Sequence, residues 1–198
     1  MKPKAAFITN NPTRLAEVYA AGRREQVEEI CDCLPEVVTD ETFDRWAEPL
    51  AHCRVLFSTW GMPKLEGERL TRLPALEIVF YAAGSVQSFA RPLLRRGVEV
   101  VSAWAANAMP VAEFTLAQVL LSCKRYFENA RLCQDPQARR DGRAAASAGR
   151  GAYGAKVALL GLGMIGRRVA ELLRPFDLEV LGVDPYVDDA TFAELGVR

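Results

Sequence analysis

The 198-residue sequence predicts an α/β fold, with a parallel sheet covered by helices on both faces and then the opening of a second α/β unit. Two observations carry this. Short apolar runs alternate with amphipathic stretches through the first half, a βαβ rhythm that a parallel sheet accommodates. Residues 156–170 then join a buried apolar run to three glycines and a helical pattern. Half of the residues are apolar, and 25 Lys and Arg balance 25 Asp and Glu. That composition is typical of soluble globular domains, and its neutrality provides no overall field for nucleic acid or an acidic membrane surface.

In the first half, residues 5–9 read as a strand. Leu15, Val18, Tyr19, Val27 and Ile30 follow at helical spacing, with Gly22 a weak point. Val37 and Val38 suggest a second short strand, followed by a helix that presents Phe43, Trp46 and Leu50 on one face. Residues 55–57, 76–81 and 98–101 supply three more strands. Ligands of such sheets collect beyond the carboxyl ends of the strands, which directs attention to the loops 58–63 and 82–86. The second loop, Ala82-Ala-Gly-Ser-Val86, suits a nest of backbone N–H groups for an anion. It equally suits a plain left-handed turn at Gly84, and the residues leave both readings open.

Residues 109–133 are the longest helical stretch, with Pro110 and Glu113 both favourable in a first turn. Between 111 and 123 the stretch is apolar nearly all round, which predicts burial between two bodies. Glu113 and Gln118 interrupt a run already shorter than the about twenty apolar residues of a membrane span. Residues 134–154, with Pro136, four arginines, three consecutive alanines and several glycines, read as a surface connection. No aromatics interleave with these arginines, so they read as a solvated face.

Residues 157–160 read as a buried strand, and Ile165, Val169, Leu172 and Leu173 carry helical spacing after it. Gly161, Gly163 and Gly166 therefore fall at a strand-to-helix turn. There the first makes the tight turn, the second lets backbone approach a pyrophosphate, and the third lets the helix close on the strand. Phosphates would lie over the helix N-terminus, favoured by its free N–H groups and dipole. A further strand, 178–183, ends at Asp184, where such folds place the acid that binds ribose hydroxyls. An acid there favours NAD over NADP, because Asp184 repels a 2′-phosphate and Pro185 and Tyr186 offer no cation. The competing reading has Arg167 or Arg168 reaching a phosphate.

The five cysteines are an odd number with no CxxC pair, so they read as buried structural thiols in a reducing compartment, with no metal set. The only histidine, His52, lacks an orienting carboxylate in the sequence and is not expected to act as an acid or base. The N-terminus has too few apolar residues for a signal peptide, which predicts a cytoplasmic protein.

The succession Tyr81-Ala-Ala-Gly-Ser-Val86, Ser102 to Phe114, Leu160-Gly-Leu-Gly-Met-Ile-Gly166 and Asp184-Pro185-Tyr186 resembles the NAD-dependent D-isomer-specific 2-hydroxyacid dehydrogenases. The Val-Ala-Glu segment at 111–113 and the order of the motifs are its most specific parts. The resemblance implies a flavodoxin-like substrate domain, 1–104, and a truncated Rossmann NAD-binding domain, 105–198. It implies hydride transfer between NAD and a 2-hydroxy or 2-oxo acid, whose carboxylate lies near Ala83, Gly84 and Ser85. Gly161, Gly163, Met164, Ile165, Gly166, Asp184 and Pro185 would hold the cofactor, with Asn107 bordering its nicotinamide end. It further implies a homodimer through the long helix, consistent with the stripe Leu120, Cys123, Tyr126 and Phe127. The family's catalytic arginine, glutamate and histidine lie downstream of its Asp184-like residue, so no catalytic residue is expected in this chain. The alternative is a non-catalytic dinucleotide-binding or regulatory module. A methyltransferase, which also has a glycine-rich turn after its first strand, fits the GxGxxG spacing less well.

Overall fold

In the computed structural model, which describes residues 1–143, 149 and 151–198, the first-half strands form one parallel sheet. They are β1 (Lys4–Phe7), β2 (Asp32–Cys33), β3 (Val55–Ser58), β4 (Ile78–Tyr81) and β5 (Glu99–Ser102), in the spatial order β2-β1-β3-β4-β5. This is the flavodoxin-like order, whose reversal next to β1 opens a crevice at the strands' carboxyl ends. Ala5 pairs with Val55, Val55 with Ile78 and Ile78 with Glu99, which sets the register across the sheet. The chain divides into two units, Met1–Trp104 and Ala105–Arg198.

Alternation along the strands builds two cores in the first unit. Ala5, Phe7, Val55 and Phe57 point to one face, where Leu15, Tyr19 and Val27 of the segment containing α1 (Pro12–Val18) and α2 (Arg23–Ile30) pack on them. Ala6, Ile8, Leu56, Val79 and Tyr81 point to the other. There they meet Leu50 of α3 (Ala47–Leu50), Leu70 of α4 (Gly67–Thr71) and Leu93 of α5 (Ala90–Arg95).

Several local expectations are corrected. Gly22 is more than a weak point: with Ala21 at φ 56° and Gly22 at φ 80°, the chain breaks into two helices. Val37–Val38 is not the second strand. That role falls to Asp32–Cys33, and Val38 makes only an isolated bridge to Ile8. The helix expected to carry Phe43, Trp46 and Leu50 shortens to α3, with Phe43 held in the turns before it.

The long helix also differs. α6 runs Trp104–Cys123, so Pro110 lies inside it rather than at its start, and a second helix, α7 (Tyr126–Gln134), follows. Pro110 leaves the Ala106 carbonyl without its helical donor. Both residues are exposed, where water can replace the lost bond. Arg125, at φ 52°, breaks the stretch, and its guanidinium holds Glu128. Burial all round does not occur. Only Ala108 and Ala112 are buried on α6, while Met109, Val111 and Phe114 are exposed, Phe114 to 65%.

Beyond α8 (Pro136–Arg140), residues 144–148 and 150 of the expected surface connection lie outside the described residues. Of its arginines, Arg140 bonds Gln137, and Arg143 lies near Asp135 and Asp141, consistent with a solvated face. The second unit then pairs β6 (Ala155–Leu160) in parallel with β7 (Leu178–Val183), joined by α9 (Met164–Leu173) and followed by α10 (Asp189–Leu195). Leu162, Val169, Leu173 and Leu195 form its core, with Ala112, Leu116 and Val119 of α6 packed in. Ile165, expected on the buried stripe of α9, is 40% exposed.

Pairing does not stop at β7. Gly182 N–H donates to the Arg198 carbonyl at 2.8 Å and Arg198 N–H to the Val180 carbonyl at 3.0 Å, so the chain after α10 lies alongside β7. Gly182 is required there, since a Cβ would fall 2.5 Å from Val197 Cγ1.

The cysteines divide. Cys31 and Cys53 are buried, Cys33 and Cys123 partly so, and Cys133 is exposed, against the expectation of uniform burial. Burial pushes the Cys33 and Cys53 thiols up to about 11, so both are protonated and unreactive near neutrality. Among the described residues no group of His, Cys, Asp and Glu is placed to hold a metal, and no helix is long and apolar enough to cross a membrane.

Candidate functional site

β6 ends at a turn whose three glycines have three different constraints. Gly161 takes φ 94°, a conformation that L side chains avoid, and its N–H donates to the Val183 carbonyl at 2.8 Å. Gly166 sits in the first turn of α9, where a Cβ would come 2.1 Å from the Gly161 carbonyl oxygen. It therefore closes the helix on the turn itself rather than on the strand. Gly163 has an ordinary φ of −71°, and a Cβ there would meet nothing within 4 Å. Neither strain nor packing within the chain calls for a glycine at 163. Room for a ligand would.

Gly163 is the N-cap of α9 and supplies no side-chain cap, and no acid occupies the first turn. The N–H groups of Met164, Ile165 and Gly166 thus have no acceptor within the helix. Together with the helix dipole they could receive an anion at Gly163. These features fit the phosphates of a dinucleotide.

Asp184, at the end of β7, closes the site from the other strand. Its Oδ2 accepts the Leu162 N–H at 2.7 Å and its Oδ1 the Tyr186 N–H at 2.9 Å. These bonds, from Tyr186 first and Leu162 second, hold the carboxyl below the usual carboxylate range, and the nearby Arg167 adds to them. Each oxygen keeps a further lone pair, so the carboxylate can still accept from ribose hydroxyls. Pro185, exposed beside it, forms the rim.

Sequence reasoning missed the position of Arg167. Its Nε donates to the Leu162 carbonyl at 2.8 Å, and its charge lowers both Asp184 and Asp188. Helical phase alone does not show that a side chain one residue after Gly166 folds back over the turn. Arg168 lies away from this carboxylate and pairs with Glu171 at 2.9 Å.

In the first unit, Ala83, Gly84 and Ser85 follow β4. Gly84 is not among the residues with positive φ, so the left-handed-turn reading fails. Ala83 N–H donates to the Tyr81 carbonyl at 2.8 Å and is not available to a ligand. Among the described residues the N–H groups of Gly84 and Ser85 have no acceptor, so the nest has two donors rather than three. Ser102, at the end of β5, holds this loop by bonding the Ala83 and Gly84 carbonyls through Oγ. Only the chain crossing that places β5 beside β4 reveals that role. Asn107 lies on α6, half-buried, with its side-chain amide unpartnered among the described residues. His52 is exposed, with a Glu48 carboxylate oxygen 3.8 Å away.

Residues 116–198 match the model of the D-isomer specific 2-hydroxyacid dehydrogenase NAD binding domain. The chain is 33% identical over 136 residues to the D-3-phosphoglycerate dehydrogenase of Mycobacterium leprae, a match covering 68% of this chain and 25% of that protein. A crystal structure of a phosphoglycerate oxidoreductase from Rhizobium etli superposes on all of this chain and 60% of its own, with a TM-score of 0.66 and 23% identity. The apo D-mandelate dehydrogenase of Rhodotorula graminis does so over the same shares, with a TM-score of 0.70 and 16% identity. These likenesses to solved structures show the fold. The chain spans about a quarter of the length of the curated relative and about three fifths of the solved chains.

Proposed function

We propose, from the match of residues 116–198 to the D-isomer specific 2-hydroxyacid dehydrogenase NAD binding domain, that the chain serves an oxidoreductase acting on a 2-hydroxy or 2-oxo acid. The observation that carries the reading is the contrast between Gly166, closed against the Gly161 carbonyl, and Gly163, open to a ligand. Bound NAD supplies the hydride acceptor, or NADH the donor. Around it, Gly161 sets the turn, and the N–H groups of Met164, Ile165 and Gly166 orient the pyrophosphate. Asp184 accepts from the ribose beside Pro185, and Asn107 offers its free amide to the nicotinamide end. The Gly84 and Ser85 N–H groups take the substrate carboxylate in the nest after β4, with Ala83 shaping the loop. Calorimetric titration of the 198-residue chain with NAD tests the reading. Saturable binding is expected, and absence of any binding would refute it.

The exposed apolar residues Val111, Phe114, Tyr126 and Phe127 support a homodimer through α6 and α7, a face that shares Tyr126 and Phe127 with the stripe first expected. Five free cysteines support a cytoplasmic setting. Within these 198 residues the one histidine is an exposed side chain beside Glu48. That favours the second reading for the chain taken by itself, a module that binds dinucleotide without turning over substrate.

A further inference from the structure

The arginines of the first unit nearly all have partners. Six pair with carboxylates, and Arg23 and Arg96 donate to backbone carbonyls. Among the described residues of this unit Arg91 and Arg95 are the exceptions. They stand four residues apart on α5, on the same side of the helix, where like charges repel and weaken it. Both line a groove of about 470 Å³ between α5 and residues 64–66, with Lys64, Gln87 and Ser88 also on its wall. Lys64 likewise has no partner, and Glu66 is the groove's only carboxylate.

We propose that this groove binds a small phosphate-bearing molecule. Two guanidinium forks and an ammonium match the several oxygens and double charge of a phosphate better than the two oxygens of a carboxylate. The Ser88 hydroxyl and the Gln87 amide add neutral donors. The volume suits a small molecule, and the neutral chain provides no extended basic track for nucleic acid. Residues 87 and 88 directly follow the nest, and Gln87 N–H donates to Ser85 Oγ at 3.4 Å, so an occupant of the groove bears on the loop proposed to take the substrate carboxylate. The site lies in the first unit and does not depend on the dinucleotide reading of the second.

Titration of inorganic phosphate and then pyrophosphate into the ¹⁵N-labelled 198-residue chain, at constant ionic strength, tests this. Saturable amide shifts are expected at residues 64–66 and 87–95. Affinity should fall at least tenfold in the Arg91→Gln/Arg95→Gln double variant and in Lys64→Met, all exposed positions whose replacement leaves the core intact. Gly163→Ala, in the other unit, should leave these shifts unchanged. Shifts confined to residues 161–167, shifts that never saturate, or equal affinity in the folded double variant would each overturn the proposal.

Discussion

Asp184 Oδ2 accepts the Leu162 N–H at 2.7 Å, a bond that ties the end of β7 to the glycine turn after β6. The acid expected to meet a ribose therefore also shapes the turn expected to meet the phosphates.

That double role has a pH signature. The Asp184 carboxyl is lowered in the folded chain by the Tyr186 and Leu162 N–H groups. A lowered carboxyl contributes stability that is present above its unfolded value of about 3.9 and is lost as pH falls through the folded value. Thermal melting of the wild type should therefore lose stability below about pH 4 more steeply than that of Asp184→Asn. Parallel pH profiles for the two would mean that the carboxylate does not hold the turn.

The glycines separate folding from binding. Gly166→Ala places a Cβ 2.1 Å from a backbone oxygen and should destabilise the second unit by about 3 kcal/mol, an overpacking cost at the high end. Gly163→Ala meets nothing and, alanine being a poorer N-cap than glycine, costs roughly 0.5 kcal/mol. It should keep the melting temperature within about 2 °C while weakening NAD at least tenfold, about 1.4 kcal/mol. Equal NAD affinity in Gly163→Ala would show that phosphates do not approach there.

Preference for NAD over NADP follows from the same carboxylate, and Arg167 sharpens the question because it lies close enough to lower Asp184. Its Nε is engaged by the Leu162 carbonyl, and the carboxylates of Asp184 and Asp188 already balance its charge, which leaves little attraction for a 2′-phosphate. Calorimetry with both cofactors should give tighter NAD binding, and Asp184→Asn should narrow the difference. Tighter NADP binding by the wild type would refute this.

The legible features were those that a local pattern carries. Gly161, Gly163, Gly166 and Asp184 follow from the chemistry of one strand-turn-helix, and the strands around Val55, Ile78 and Val100 from short apolar runs. Features set by tertiary contact were not legible. Asp32–Cys33 becomes a strand because Lys4 and Ala5 lie beside it, although Val37–Val38 has the better β composition. Arg125 breaks a helix without the glycine or asparagine that usually marks such a turn. Pro110 reads as a helix start because that is where proline costs least, yet α6 carries it inside, at an exposed position.

In the first unit, Gly84→Val should weaken binding of a 2-oxo acid such as glyoxylate by crowding the two free N–H groups of the nest, with NAD affinity nearly unchanged. Affinity measurements for both ligands on the folded variant decide this. Equal loss of both would point to a general folding defect, whereas unchanged oxo-acid affinity would remove the carboxylate from this loop.

The 198-residue chain itself should not turn over substrate. Reduction of a 2-oxo acid develops an alkoxide, which needs a proton donor within hydrogen-bond reach and positive charge on the oxygen. The nest after β4 offers two backbone N–H groups, which can orient a carboxylate but do not give up a proton at neutral pH. Cys33 and Cys53 hold their protons up to about 11 within packed cores, and Cys53 Sγ is directed at the Pro49 carbonyl. His52 stands exposed after α3, 3.8 Å from Glu48, with no substrate-binding group beside it among the described residues. Binding of NAD without oxidation of NADH by glyoxylate, pyruvate or hydroxypyruvate is the expected result. Sustained turnover by the purified chain, lost in Gly163→Ala and retained in His52→Gln, would require a proton donor other than those considered among its described residues.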